Sequence, residues 1–145
     1  RLSSDLIKAK QLEIPGTLAL LKIDDFIDQE TLFDDNPLPK VVSVVSAIIS
    51  DEMTPLNLFG RLDDRIFGIY FFNASTKNVF VWAEKLRVKI ARKPVSVVSK
   101  QTTFTVSIGI ASTTNKDNAD EVIHNANLAL NKALEKGGNA VLNVN

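Results

Sequence analysis

Residues Phe59–Phe72, FGRLDDRIFGIYFF, constrain the fold more than any other stretch of the chain. Leu58, Phe59 and Leu62 precede a polar turn, Asp63-Asp64-Arg65. Ile66, Phe67, Ile69, Tyr70, Phe71 and Phe72 follow it as an aromatic, β-favouring run. A run this apolar suits a strand covered on both faces rather than one with a wet side. The pattern predicts strand, tight turn, strand at the centre of an α/β sheet. The turn would lie at the sheet's rim, where a site would be sought.

The rest of the chain supplies the other layers. Leu2, Leu6, Ile7, Ala9 and Leu12 recur at helical spacing, with Ser3 or Ser4 able to cap and Pro15-Gly16 ending the helix. Thr17–Ile23 reads as a buried strand in which Lys22 needs a partner, because an unpaired buried ammonium is costly. Asp24–Pro39 is acid-rich and holds Pro37 and Pro39, so it reads as a solvated loop. It lacks the alternating ligands, central Gly and terminal Glu of a calcium loop. Lys40–Glu52 is long enough for a helix, and Ser43, Ser46 and Ala47 predict close packing on a sheet.

Beyond the hairpin, Asn73–Ser75 offers caps for a helix that buries Val79, Phe80, Ala83, Leu86 and Ile90, leaves Trp82 as a partly buried flank, and stops before Pro94. Val95–Val98 and Thr102–Ala111 read as strands joined around Lys100, and Ser112–Asn118 as a polar loop. Asp117 or Asn118 would cap a last helix with Val122, Ile123, Ala126, Ala129, Leu130 and Ala133 inward and Gly137 as its stop. Val141–Val144 would add an edge strand. The order α-β-α-β-β-α-β-β-α-β implies a single α/β domain over residues 1–145. Its sheet would be mostly antiparallel and flanked by helices, in a ferredoxin-like or nucleotidyl-cyclase-like sandwich.

Composition narrows the function classes. Lys+Arg and Asp+Glu both number 17, which gives no electrostatic footprint for nucleic acid or a membrane surface. The absence of cysteine removes thiolate catalysis and cysteine-bound zinc. His124, the single histidine, reads as a helix-surface residue, and Ser107 as a sheet residue with no triad around it. Gly137-Gly138-Asn139 follows a helix at its negative end, so it reads as a C-cap rather than an anion site. The chain starts at Arg1 without methionine, which suggests a fragment cut from a longer protein.

Four segments resemble the GGDEF family, the diguanylate cyclases that join two GTP molecules into cyclic di-GMP. TLALLKIDDF is similar to the family's first-strand segment, an apolar run ending D-x-D-x-F. FGRLDDRIFGIYFF is similar to the R-Y-G-G-D-E-F hairpin, FTVSIGIAST to the T-V-S-I-G-I-A strand, and ADEVIHNANLALNKALEKGGNAV to the closing helix. Their order and spacing carry the resemblance over almost the whole chain, with Arg1 near the arginine that begins the family's first helix.

The residues that the resemblance implies for chemistry mostly differ. Lys22 stands where the family's first aspartate holds Mg²⁺, while Asp24 keeps the second. Asp63 and Asp64 replace the two glycines, Arg65 the following acid and Ile66 the glutamate. Only Arg61 and Phe67 of that motif remain. The guanine-reading pair falls near Glu30-Thr31, the phosphate-holding lysine and arginine at Leu134 and Gly138, and the product-inhibition R-x-x-D at Thr54 and Asn57. Joining nucleotides needs carboxylate-bound metal ions that activate the 3′-oxygen and neutralise the triphosphate. Losing even one such ligand would cost orders of magnitude in rate. Two like charges about 4 Å apart repel by roughly 4 kcal/mol at an effective dielectric of about 20, so Asp63 and Asp64 would oppose phosphate on that scale.

Two structural expectations follow. Aspartates in the turn would accept local hydrogen bonds and take positive φ, in preference to forming a relocated metal site with Asp24. Lys22 and Arg65 would pair with Asp24, Asp63 or Asp64, fixed cations doing the work of Mg²⁺. The resemblance then implies a catalytically inactive GGDEF-like domain with no cofactor, no metal and no catalytic residue. It would be a regulatory or protein-interaction module in bacterial cyclic di-GMP signalling. Its partners would be adjacent domains of the same chain (EAL or sensory), a signalling protein or a second copy, in the cytoplasm. The alternatives are a receptor for GTP or cyclic di-GMP without turnover, and a residual diguanylate cyclase.

Overall fold

The computed structural model describes residues 15–25, 37–97, 100–113 and 119–144. The expected first helix, most of the acidic loop and the caps at Asp117 and Asn118 lie outside them. Ten elements follow in order: β1 (Gly16–Ile23), α1 (Leu38–Asp51), β2 (Asn57–Arg61), β3 (Ile66–Phe72), α2 (Thr76–Ala91), β4 (Val95–Val97), β5 (Lys100–Thr102), β6 (Val106–Ser112), α3 (Ala119–Glu135) and β7 (Val141–Asn143). The main sheet has the order β2-β3-β1-β6-β7, antiparallel except for the β6–β7 pair. Its first four strands, with α1 and α2, form the β-α-β-β-α-β arrangement of ferredoxin-like folds.

The centre of the sheet is β1, not the hairpin, because β2 forms an edge. The continuous apolar run of β1 follows from this place. Ala19, Leu21 and Ile23 join the larger core under α1 and α2, while Leu18 and Leu20 face α3 with Tyr70 and Ala111. Leu20 pairs with Gly68 on one side and Gly109 on the other, and α3 approaches the sheet most closely at Gly109. A Cβ on Gly109 would stand 2.2 Å from the Leu130 nitrogen and 2.4 Å from the Ala126 oxygen.

Local chemistry sets the helix ends. Ser75 caps α2, its Oγ accepting from the Asn78 amide at 3.1 Å. α1 begins at Leu38, which puts Pro39 in the first turn, where a missing amide N–H is harmless. Its buried residues are Val41, Val42, Val45 and Ile49, and Ser43 and Ala47 are exposed, contrary to the close-packing role expected of them. α3 ends in a paired C-cap: the Gly138 amide donates to Ala133 O and the Gly137 amide to Leu134 O, with φ of 80° and 107° at the two glycines.

One expected strand is divided. Thr102–Ala111 is interrupted at 103–105, so that β4 and β5 form a separate two-stranded ribbon and β6 alone enters the main sheet. Alternation from Phe104 to Ile110 spans that interruption because Phe104 is itself buried in the main core.

Candidate functional site

The residues singled out by the signature gather at one end of the sheet, where β1 runs out and the β2–β3 turn closes. Phe67 is buried and stacks on Phe59 with ring centroids 5.7 Å apart. Ile66 pairs across the sheet with Lys22, which pairs with Ser107 on its other side.

The turn is held by its own groups. The Leu62 and Asp63 amides both donate to Ile66 O, at 2.8 and 3.3 Å. The Asp64 amide donates to Asp63 Oδ1. The Arg61 guanidinium donates through Nε to Asp63 O at 3.1 Å and through Nη2 to Asp64 O at 2.9 Å, with the Asp64 carboxylate 3.8 Å away. Three amides that could have faced an anion are therefore directed to partners within the turn. The expected local hydrogen bond is present, but positive φ is not. Among the described residues only Asn73, Asn139 and two glycines adopt it. This turn's backbone is open to any L-residue, so the fold does not require glycine at 63 or 64.

Asp24 is the second centre. Its Oδ1 accepts from Ser107 Oγ at 2.6 Å, and its Oδ2 accepts from Thr105 Oγ1 at 2.6 Å and from the Asn139 amide at 2.8 Å. A Cβ at Gly138 would lie 3.0 Å from this carboxylate, so glycine there allows both the αL cap and the approach of Asp24. Leu134, the other closing-helix position, is half-buried against the Leu18–Tyr70 cluster. Thr105 and Ser107 were not singled out as partners by sequence. Their signal is a Thr-x-Ser alternation at the start of β6 and the residue before it, which places both hydroxyls on the side of Asp24, visible only once β1 and β6 are paired.

The expected pairing of Lys22 and Arg65 with these acids does not occur. Among the described residues no carboxylate lies within ion-pair distance of Lys22, and Asp24 is already satisfied by neutral donors. Arg65 instead points toward Asp25, Nη1 to Oδ1 4.0 Å. Ile23 donates its amide to Arg65 O at 2.9 Å, which sets Arg65 beside Ile23 and on the face opposite Lys22 and Asp24. Among the described residues no three His, Cys, Asp or Glu side chains assemble around a cation position. The Asp24 carboxylate accepts three protein hydrogen bonds and has Lys22, not a second acid, on the same strand face, which does not fit Mg²⁺.

The family's sequence model, "Diguanylate cyclase, GGDEF domain", matches residues 1–140. The chain belongs to the GGDEF domain family. Solved GGDEF structures share its fold. The GGDEF domain of DgcB from Caulobacter crescentus, solved in complex with c-di-GMP, superposes with a TM-score of 0.88 at 21% identity, covering 98% of this chain and 85% of that one. The active GGEEF domain of a diguanylate cyclase from Vibrio cholerae gives 0.83 at 20% identity, covering 100% and 91%. SiaD from Pseudomonas aeruginosa, a diguanylate cyclase in complex with its activator SiaC, gives 0.86 at 16% identity, covering 99% and 55%. No curated protein matches the chain. This GGDEF domain thus has the architecture of a cyclic di-GMP signalling domain. None of its described helices is long and apolar enough to cross a membrane.

Proposed function

We propose that this GGDEF domain lacks diguanylate cyclase activity and serves as a regulatory or protein-interaction module in cyclic di-GMP signalling. The observation that carries this reading is the state of Asp24, the one acid kept from the first-strand pair. Both its oxygens are committed to Thr105, Ser107 and Asn139. With Asp24 engaged and Lys22 in place of the first acid, the first-strand position offers no free carboxylate pair for the metal that would neutralise two triphosphates and activate a 3′-oxygen. The turn reinforces the point, since its amides are spent internally and two aspartates face any approaching phosphate. Residues 1–145 would act as one domain beside others in a cytoplasmic protein, with an EAL or sensory domain, a signalling protein or a second copy as partner. SiaD offers a precedent in which a protein containing this fold is held by an activator.

Calorimetric titration with GTP plus Mg²⁺, and with cyclic di-GMP, followed by chromatography of the nucleotides, tests the reading. Neither heat nor product is expected. Cyclic di-GMP formed from GTP would overturn it. Binding without turnover would favour a nucleotide receptor, a reading weakened by Thr54 and Asn57. These two bond to each other, Thr54 N to Asn57 Oδ1 at 2.9 Å, where the family's inhibition site carries charge.

A further inference from the structure

The outer face of α2 carries a charge pattern that neither the fold nor the signature site uses. Residues 76–93 hold six of the chain's 17 basic residues and one of its 17 acidic ones, although the chain as a whole is neutral. Val79, Ala83, Leu86 and Ile90 bury the inner face. Lys77, Lys85, Lys89 and Arg92 are exposed along the outer one. Lys89 pairs with Glu52 at 2.6 Å. Among the described residues Lys77, Lys85, Arg92 and Lys93 have no ion-pair partner. Cations in the last turn suit the helix dipole, but Lys77 sits in the first turn, where the dipole disfavours it. Helix stability therefore does not account for the stripe.

Apolar residues run within it. Val81 is 51% exposed, and Val88 lines an open groove of about 590 Å³ with Lys85, Lys89, Arg92, Lys93 and Glu84, the last already paired with Arg87 at 2.7 Å. Their seven-residue separation puts them on one line, about 10 Å apart along the axis. That is the spacing with which one helix seats another. We propose that this face docks an acidic amphipathic helix of a partner protein, whose apolar seam meets Val81 and Val88 while its acids meet the flanking cations. A phosphate backbone would leave the valines unmatched. The helix's aromatic residues, Phe80 and Trp82, pack against the core instead of standing free as a stacking platform, Trp82 in edge contact with Phe71 at 4.8 Å. A membrane surface would call for a broader apolar face. The inference deepens the interaction-module reading and rests on it only for the idea that a partner exists.

A fluorescent three-heptad peptide, leucine at a and d and glutamate at e and g, serves as the probe in anisotropy titrations with this domain. Controls are a shuffled peptide of the same composition, a short DNA duplex and phosphatidylserine vesicles. Saturable binding that weakens with salt is expected, and Lys77→Glu/Lys85→Glu/Arg92→Glu should weaken it about tenfold or more. Val81→Ser/Val88→Ser should weaken it at constant charge. All five positions are on the outer face, and circular dichroism will verify that the variants fold. No binding, equal binding of the shuffled peptide, tighter binding of DNA or vesicles, or indifference to both variants would overturn the proposal. GTP turnover is read on the same samples. Peptide docking with turnover would leave this face standing while sinking the inactive reading, and absent docking without turnover would do the reverse.

Discussion

At Gly109 the backbone of β6 lies against the backbone of α3, whereas at Asp63-Asp64 the chain turns in open solvent. Both places correspond to glycines in the family's motifs, and only one of them is glycine here. The difference follows from geometry. A methyl group at 109 would overlap Leu130 N and Ala126 O, atoms that cannot move without shifting the helix. At 63 and 64 no positive φ is used, so side chains enter without strain. One glycine makes room for the fold. The other two would make room for a ligand, and the fold is indifferent to their loss.

Gly109→Ala should therefore have the largest effect, a loss of about 3 kcal/mol, measured by urea unfolding. A loss below about 1 kcal/mol would show that α3 slides freely and would break the contrast. Asp24→Ala comes next. It strips the acceptor from the buried Ser107 hydroxyl, from Thr105 and from the Asn139 amide, at a cost of about 2 kcal/mol. Faster hydrogen exchange at Asn139 should accompany it, and an unchanged rate there would mean the clasp does not hold the turn after α3. Asp63→Gly/Asp64→Gly should cost only about 1 kcal/mol, through the freer unfolded chain. It should restore no GTP turnover, since Lys22 and Ile66 remain. Recovered cyclase activity would show that the turn alone had blocked the reaction.

The smallest effect concerns pH. Burial of Tyr70 raises the pKa of its hydroxyl above the usual 10.0, with the Thr113 hydrogen bond acting in the opposite sense. As pH climbs past about 10 the unfolded chain gives up this proton while the native protein keeps it, so stability falls. The parent should then lose stability relative to Tyr70→Phe between pH 9.5 and 11, roughly the window set by an unperturbed tyrosine. Parallel unfolding midpoints for the two proteins would remove Tyr70 from the account.

Most of the architecture was legible because short-range rules govern it. The run from Thr17 to Ile23, the spacing of Val79 to Ile90, the Ser75 cap and the Gly137 stop each depend on a few neighbouring residues. What was hidden is long-range. Asp24 meets Thr105, Ser107 and Asn139 across 81 to 115 residues of chain. No local pattern reports that, and charge reasoning alone sent Lys22 and Arg65 to the wrong partners. Neutral hydroxyls had already claimed Asp24, and strand parity turned Arg65 to the other face. Periodicity likewise missed the gap at 103–105, because the side chain of Phe104 keeps the alternation after its backbone has left the ladder.

The two margins of the main sheet have a consequence for behaviour at high concentration. β7 contributes only three residues and β2 five. The Phe72 amide donates to Leu56 O and the Leu62 amide to Ile66 O, so alternate residues from Leu56 to Leu62 aim their peptide groups inward. Asn57 aims outward, but Thr54 O already takes its N–H. On β2 only Phe59, Arg61 and the Asn57 carbonyl present peptide groups to a foreign strand. A neighbour adding itself there would gain too short a ladder to nucleate fibrils, and crowded solutions of the domain should remain clear.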